Sequence, residues 1–162
     1  MGQFDRVLFD DKYITRRQRQ AFNFVSNITV KRYDLALHAY QGSWMPKTDW
    51  SGTTHMGAGV ADLYVYGMST MGDEKLSEIT RLLRREGRQA AQLRGPFTNM
   101  PWHWHICDLE TQGMDKHTGY GAVWQVDQYL AKGGPYDGLS SGVPSHNPYR
   151  PSPIKKWDYK AA

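Results

Sequence analysis

The chain has 162 residues, of which 40% are hydrophobic and 22% are charged, and its formal net charge is +4. This length fits one ordinary domain, and the composition excludes a disordered or fibrous chain. No apolar run approaches the roughly 20 residues of a membrane span, and residues 1–6 lack the apolar region of a signal peptide. We therefore expect a globular protein without a membrane partner, which is made in the cytosol and is either kept there or released by a route other than its own signal.

The basic residues are scattered along the chain, with pairs such as Arg16-Arg17, Arg84-Arg85 and Lys155-Lys156. Such pairs are typical of solvated helix faces, and a polyanionic surface such as a cell wall or a nucleic acid is the second interpretation. We do not predict a nucleic-acid partner.

The first half of the chain predicts a helix followed by a strand and a loop. Thr15 and Gln18 form a capping-box pattern, and the apolar residues after them repeat at helical spacing, which predicts a helix over 15–26. Residues 34–40 alternate as a strand does, and Gly42 with Ser43 ends it. The segment 45–56 contains proline, glycine and threonine and is typical of a loop.

The second half predicts two strands and two helices. Residues 60–66 alternate as a strand in which Asp62 shares one face with Val60, Tyr64 and Tyr66. Asp73 is the predicted cap of a helix over 74–87. Residues 102–109 predict a third strand, and the apolar residues of the segment 123–130 predict a last helix that Gly133 and Gly134 close.

The tail from Pro135 is rich in glycine, proline, serine and tyrosine and has no periodicity. It is typical of an extended arm that lies on the domain or reaches a partner. The predicted organisation is therefore a domain over 1–134 and a C-terminal arm over 135–162.

Cys107 is the single cysteine, so an internal disulfide is excluded. Its neighbours Ile106 and Leu109 indicate a strand in which the thiol acts as a small apolar group. A buried structural role is favoured over a nucleophilic one.

The candidate metal ligands are a histidine and an aspartate seven residues apart, His55 and Asp62, and a later pair, His103 and His105. Two neutral imidazoles and one carboxylate suit Zn²⁺, and a catalytic zinc site keeps a fourth position for water. His103 and His105 share one face of the predicted strand, and only one of them need be a ligand.

Glycines at 57 and 59 let the chain bend so that His55 and Asp62 can meet. The alternative for each histidine taken alone is a hydrogen-bonded structural residue, and we keep it for His38, His117 and His146. The alternative for the tryptophans beside the pair is a core strand packed on a helix.

These residues resemble the marks of a group of zinc proteins that joins lysostaphin-type enzymes, D-alanyl-D-alanine peptidases and the hedgehog signalling domain, namely His-x6-Asp and a later His-x-His. The resemblance is closer to the small D-alanyl-D-alanine carboxypeptidase-like proteins of actinobacteria and their phages. It covers residues 15–142, and the segments that carry it are Gln41-Gly42-Ser43-Trp44, Gly52 to Leu63, and Pro101-Trp102-His103-Trp104-His105.

The resemblance implies an α+β fold, in which helices flank a small antiparallel sheet and one zinc ion lies on the sheet face. It implies that His55, Asp62 and His105 bind the zinc, while His103 orients or deprotonates the attacking water. An alignment on Pro-Trp-His-Trp would instead make His103 the ligand, and both alignments stay open here.

The substrate contacts that the resemblance implies are Gln41, Ser43 and Trp102. The implied function is a zinc peptidase that hydrolyses a peptide bond in peptidoglycan stem or cross-link peptides, either as a D-alanyl-D-alanine carboxypeptidase or as an endolysin-like endopeptidase. The cell wall would be its place of action.

The sequence departs from the family pattern at two points, and one of them, Met100, together with the long Pro/Tyr-rich tail favours an alternative. One residue is inserted between Thr53 and His55, and Met100 stands where vancomycin-resistance-type enzymes carry the glutamate that acts as general base. The alternative is a non-catalytic relative that serves as a cell-wall-binding module or a phage virion component, with partners reached through the C-terminal arm.

Overall fold

The computed structural model describes residues 2–46, 53–94, 101–114, 121–131, 139–140 and 143–144. Within these ranges the strands are β1 (Arg6–Phe9), β2 (Lys12–Thr15), β3 (His38–Gln41), β4 (Val60–Tyr64), β5 (Gln89–Arg94), β6 (His103–Asp108), β7 (Leu139–Ser140) and β8 (Val143–Pro144). The helices of the same ranges are α1 (Arg16–Tyr33), α2 (Asp73–Arg85) and α3 (Gly121–Ala131). The predicted α+β class with small antiparallel sheets is confirmed.

The central sheet has the strand order β3-β4-β6-β5, and all its neighbouring strands are antiparallel. In its register Asp62 pairs with His105 and Leu63 pairs with Trp104. Because successive side chains of a strand point to opposite faces, the two pairs lie on opposite sides of the sheet. One face is therefore polar at its centre, and we call it the site face, while the other is apolar.

Helices α1 and α2 cover the apolar face and form the main core with it. Phe22 of α1, Ile79 of α2 and Trp104 of β6 are completely buried there. The one polar group of the Trp104 ring is satisfied, since its Nε1 donates to Thr80 Oγ1 over 2.8 Å. Full burial of each large apolar side chain contributes about 1.5–3 kcal/mol.

Helix α3 packs on the site face through Ala122 and Val126. Its first turn is held against the segment before β4, because Ala122 N donates to Ala58 O over 2.8 Å. Gly121 has a φ of +79°, and a Cβ there would lie 2.8 Å from Ala58 O. Only glycine permits this close approach without strain.

Helix α1 begins as the sequence predicts. Thr15 Oγ1 accepts from Gln18 N over 3.1 Å, and the capping box is complete. The predicted end at residue 26 is wrong, since the helix continues to Tyr33 and Asp34 caps it in the left-handed conformation. The β-branched residues of the segment 28–30 weaken local helix propensity, but the buried Thr29 packs in this turn, so tertiary contacts decide the end.

Two further boundaries differ from the prediction. The strand predicted over 34–40 starts at His38, because Asp34 belongs to the helix cap and Leu37 N is bonded to Ser26 Oγ over 3.0 Å. The cap of α2 is Gly72, and Asp73 is its first helical residue.

The other predicted elements agree in position. The strands predicted over 60–66 and 102–109 are present as β4 and β6, and α3 covers the predicted last helix. Residues 53–56 of the predicted loop form a 3₁₀ turn. Residues 47–52, Gly133 with Gly134, and the arm apart from β7 and β8 lie outside the described ranges.

The β1-β2 hairpin and β5 are not predicted by the sequence patterns. Asp10 and Asp11 form the hairpin turn with φ values of 47° and 63°, a conformation that Asn-Gly occupies more often than Asp-Asp. Strand β5 reads Gln-Ala-Ala-Gln-Leu-Arg and lacks the β-branched residues that mark strands.

None of the helices in the described part of the chain combines the length and the apolar character that a membrane crossing requires.

We predict that Thr15→Ala lowers the free energy of unfolding by about 1–2 kcal/mol, because it removes a buried cap. Thr15→Ser keeps the hydroxyl and should lose much less. Urea unfolding monitored by circular dichroism measures both variants, and equal losses in the two would contradict the capping account.

Candidate metal centre

Three residues from separate parts of the chain meet on the site face. Asp62 lies in the middle of β4, His105 pairs with it from β6, and His55 comes from the 3₁₀ turn Thr53–Met56. Their exposed fractions are only 1–2%. One ligand atom from each residue lies within 4.8 Å of the other two, so the group could hold a metal ion.

The ring of His55 is oriented by a backbone carbonyl. Its Nδ1 lies 2.8 Å from Gly42 O, which can only accept, so Nδ1 carries the proton. The other nitrogen, Nε2, lies 3.3 Å from Asp62 Oδ2. In neutral His55 these two atoms are both acceptors, so a proton or a cation has to lie between them.

The ring of His105 lies between two side-chain partners. Its Nδ1 is 2.8 Å from Asp62 Oδ1, and its Nε2 is 2.9 Å from Gln125 Oε1 on α3. When His105 Nε2 donates to Gln125 Oε1, the lone pair of His105 Nδ1 faces the carboxylate of Asp62, which His55 also contacts. The two imidazoles thus approach opposite oxygens of Asp62.

His103 lies on the same face of β6, two residues before His105. It is 2% exposed, and its Nδ1 donates to Pro101 O over 2.8 Å. The prediction that His103 and His105 share a face is confirmed. The neutral ring carries its basic lone pair on Nε2, and His103 is not part of the group of three ligand atoms.

Electrostatic interactions fix the charge of the carboxylate. Burial by itself raises the pKa of Asp62, but the electrostatic interactions with His55 and His103 and the side-chain contacts with His105 and His55 hold it well below its usual value. Asp62 is therefore ionised.

The three histidines differ in their affinity for protons. Burial lowers the pKa of His55, yet the charge and hydrogen bond of Asp62 outweigh it and raise that pKa above the ordinary 6.5. Burial lowers the pKa of His103 and brings that of His105 to about 4. In the absence of a metal, His55 is thus the residue that holds a proton beside Asp62.

Ser43 supports the site through the backbone and was predicted as a substrate contact. Its Oγ donates to Val60 O over 2.8 Å and accepts from Val60 N over 3.1 Å, and its N donates to Tyr13 O over 2.7 Å. These bonds fix the segment that aims Gly42 O at His55. The hydroxyl is thus engaged with the backbone of Val60, and the substrate contact of Ser43 stays a prediction.

The other two predicted substrate contacts lie on opposite sides of the sheet. A bulge in β3 makes Gln41 pair with Asp62, which places it on the site face. Trp102 packs against the apolar core on the helix side. Gln41 therefore shares the face of the candidate ligands, whereas the Trp102 ring packs on the opposite face, and both substrate contacts stay predictions.

Sequence reasoning missed Gln92, Arg94 and Gln125. Gln92 pairs with His105 and Arg94 with His103, and Arg94 Nε donates to Gln92 Oε1 over 2.8 Å. The spacing of two between Gln92 and Arg94 would have indicated that they share one face of a strand, but β5 was not predicted. Cys107 is completely buried, as predicted.

Comparisons of the chain with protein-family models, with curated protein sequences and with solved structures found no match.

We predict that chelator-treated protein loses stability as the pH rises above 6.5 and that His55→Gln loses less over the same range. Because the pKa of His55 is raised in the folded state, protonated His55 stabilises the fold fully at a pH below its ordinary pKa of 6.5. This contribution is lost as the pH rises through the folded-state pKa. Excess divalent metal should reverse the slope, because metal and proton compete for Nε2.

Urea unfolding between pH 6 and 9 measures this difference between the wild type and His55→Gln. Parallel slopes in wild type and His55→Gln would contradict the pairing of His55 with Asp62.

Proposed function

We propose that the chain is a zinc peptidase that hydrolyses a peptide bond in peptidoglycan stem or cross-link peptides, related to the D-alanyl-D-alanine carboxypeptidase-like members of the lysostaphin and hedgehog group. The observation that carries the proposal is the convergence of His55, Asp62 and His105 at one buried point. The proton-bearing nitrogens of both rings can point outward, to Gly42 O and Gln125 Oε1, which leaves the inward nitrogens for a cation.

The donor set fits zinc better than the hard cations. Two imidazoles and one carboxylate are typical of catalytic zinc, whereas Mg²⁺ and Ca²⁺ prefer oxygen ligands. His55 Nε2, a carboxylate oxygen of Asp62 and His105 Nδ1 would hold the ion. Zinc bound there would act as a Lewis acid toward the scissile carbonyl and the attacking water.

His103 is the proposed general base. Burial keeps its imidazole neutral at pH 7, and its Nδ1 is committed to Pro101 O, so Nε2 is the atom that would accept a proton from water and return it to the leaving amine. Such a group contributes about 10²–10⁴-fold. It would take the place of the family glutamate, since residue 100 is methionine.

Arg94 is the proposed recognition group for a substrate carboxylate. It lies opposite His103 at the end of β5 and is half-buried, and its positive charge opposes protonation of the three histidines of the site. A guanidinium pairs with a carboxylate through two parallel hydrogen bonds. A carboxylate at the end of a stem peptide would satisfy it, which favours the carboxypeptidase form of the proposal.

One observation favours the second candidate, a non-catalytic cell-wall-binding or virion module. Asp62 is the one carboxylate among the residues of β4, β5 and β6 that face the site. No acidic base therefore stands beside the ligands on these three strands. In that case the site would hold a metal without hydrolysis.

Digestion of purified muropeptides followed by mass spectrometry separates the two candidates. We expect the zinc-loaded protein to release a D-amino acid or to split cross-links, chelation to stop the cleavage and added Zn²⁺ to restore it. If the muropeptides stay intact at every protein concentration, the peptidase proposal fails and the binding module is the remaining candidate. Cleavage that chelators do not affect would contradict the metal mechanism.

We predict that the two histidines of β6 respond differently to substitution. His105→Ala should lower the zinc content together with activity, because two remaining protein ligands hold the ion poorly. His103→Ala should keep the zinc and lose turnover by about 10²–10⁴-fold. His38→Ala is the matched control and should keep both.

Metal analysis and muropeptide turnover of the same preparations test this split. Loss of zinc in His103→Ala with retention in His105→Ala would mean that His103 is the ligand. Full activity in both variants would refute the whole site.

A further inference from the structure

Helix α3 places one buried amide against the outer nitrogen of His105. Gln125 is 8% exposed, and its Oε1 lies 2.9 Å from His105 Nε2. The helix is anchored one turn earlier, where Ala122 N donates to Ala58 O over 2.8 Å in the segment between His55 and Asp62. The amide is therefore held by the same segment that carries the other two candidate ligands.

The tautomer of His105 decides whether it can bind a metal together with Asp62. A proton on Nδ1 would lie between that nitrogen and Asp62 Oδ1, which are 2.8 Å apart, and would block the ligand position. A proton on Nε2 leaves the Nδ1 lone pair facing the carboxylate. A carbonyl acceptor at Nε2 favours the second arrangement.

The orientation of the Gln125 amide is set by a second donor. The thiol of Cys107 donates to the same Oε1 over 3.0 Å. Cys107 and His105 are two apart on β6 and share the site face, so both donors converge on one oxygen. An amide turned the other way would present its NH₂ group to both of them.

We propose that Gln125 is a positioning residue that sets the tautomer of His105 for metal binding, with Cys107 fixing the amide that does so. The inference rests on the metal site of the proposed function and not on the hydrolysis. Outer partners of metal-binding histidines typically contribute about 10–100-fold in metal affinity.

Competition with a chromophoric chelator at pH 7 measures the zinc affinity of the variants. Gln125→Met keeps the length without an acceptor and should lose about 10–100-fold. Gln125→Glu keeps an acceptor at Nε2 and should bind at least as tightly as the wild type. Gln125→Asn is one methylene too short to reach His105 and should lose affinity as Gln125→Met does, which keeps the test available if the methionine variant does not fold.

Asp127→Asn, on the exposed side of α3, is the matched control outside the cluster, and its affinity should stay near that of the wild type. Cys107→Ser retains a donor to Oε1 and should bind zinc more tightly than Cys107→Ala. Wild-type affinity in folded Gln125→Met or Gln125→Asn, or a Gln125→Glu variant as weak as these, would overturn the inference. If zinc affinity depends on Gln125 while muropeptides stay intact, only the peptidase proposal fails. A wild-type protein without zinc affinity would refute both.

Discussion

The charge of Asp62, buried at the centre of the sheet, is the constraint on which the site depends. An ionised carboxylate that is removed from water without partners costs on the order of several kcal/mol. His55 and His105 contact one oxygen each, and His103 adds a third imidazole nearby. The outward nitrogens of His55 and His105 are in turn held by Gly42 O and Gln125 Oε1, respectively. The arrangement is satisfied when a proton or a metal ion lies between the imidazoles and the carboxylate.

The fold makes this arrangement with few elements. The antiparallel register brings Asp62 opposite His105, and a slip of one residue would move one of them to the helix side. The segment between His55 and Asp62 has to turn sharply while α3 lies against it. Gly59 meets this requirement with a φ of +76°, and a Cβ there would lie 2.8 Å from the Cβ of Ala122. Ala58 and Gly59, the small residues that let the segment turn between the ligands, are thus also the residues on which α3 packs.

Local patterns in the sequence predicted the parts of the site that depend on strand alternation. The period of two placed Asp62 on one face of β4 and His103 with His105 on one face of β6, and the structure confirms both placements. The bulge that turns Gln41 toward Asp62 could not be predicted, because it depends on the pairing of β3 with β4. The contact of Gln125 depends on how α3 is rotated above the sheet, which no pattern within the helix specifies. Arg94 was missed because β5 carries glutamine and alanine in place of β-branched residues.

X-ray absorption spectroscopy at the zinc edge tests whether His55, Asp62 and His105 hold the ion, because it reports the ligands of the ion without any substrate. For protein reconstituted with one zinc per chain, we expect two imidazoles and light-atom oxygen ligands at about 2.0–2.2 Å. Failure to retain stoichiometric zinc would contradict this ligand set. So would a sulfur ligand at about 2.3 Å, which would mean that Cys107 binds the metal.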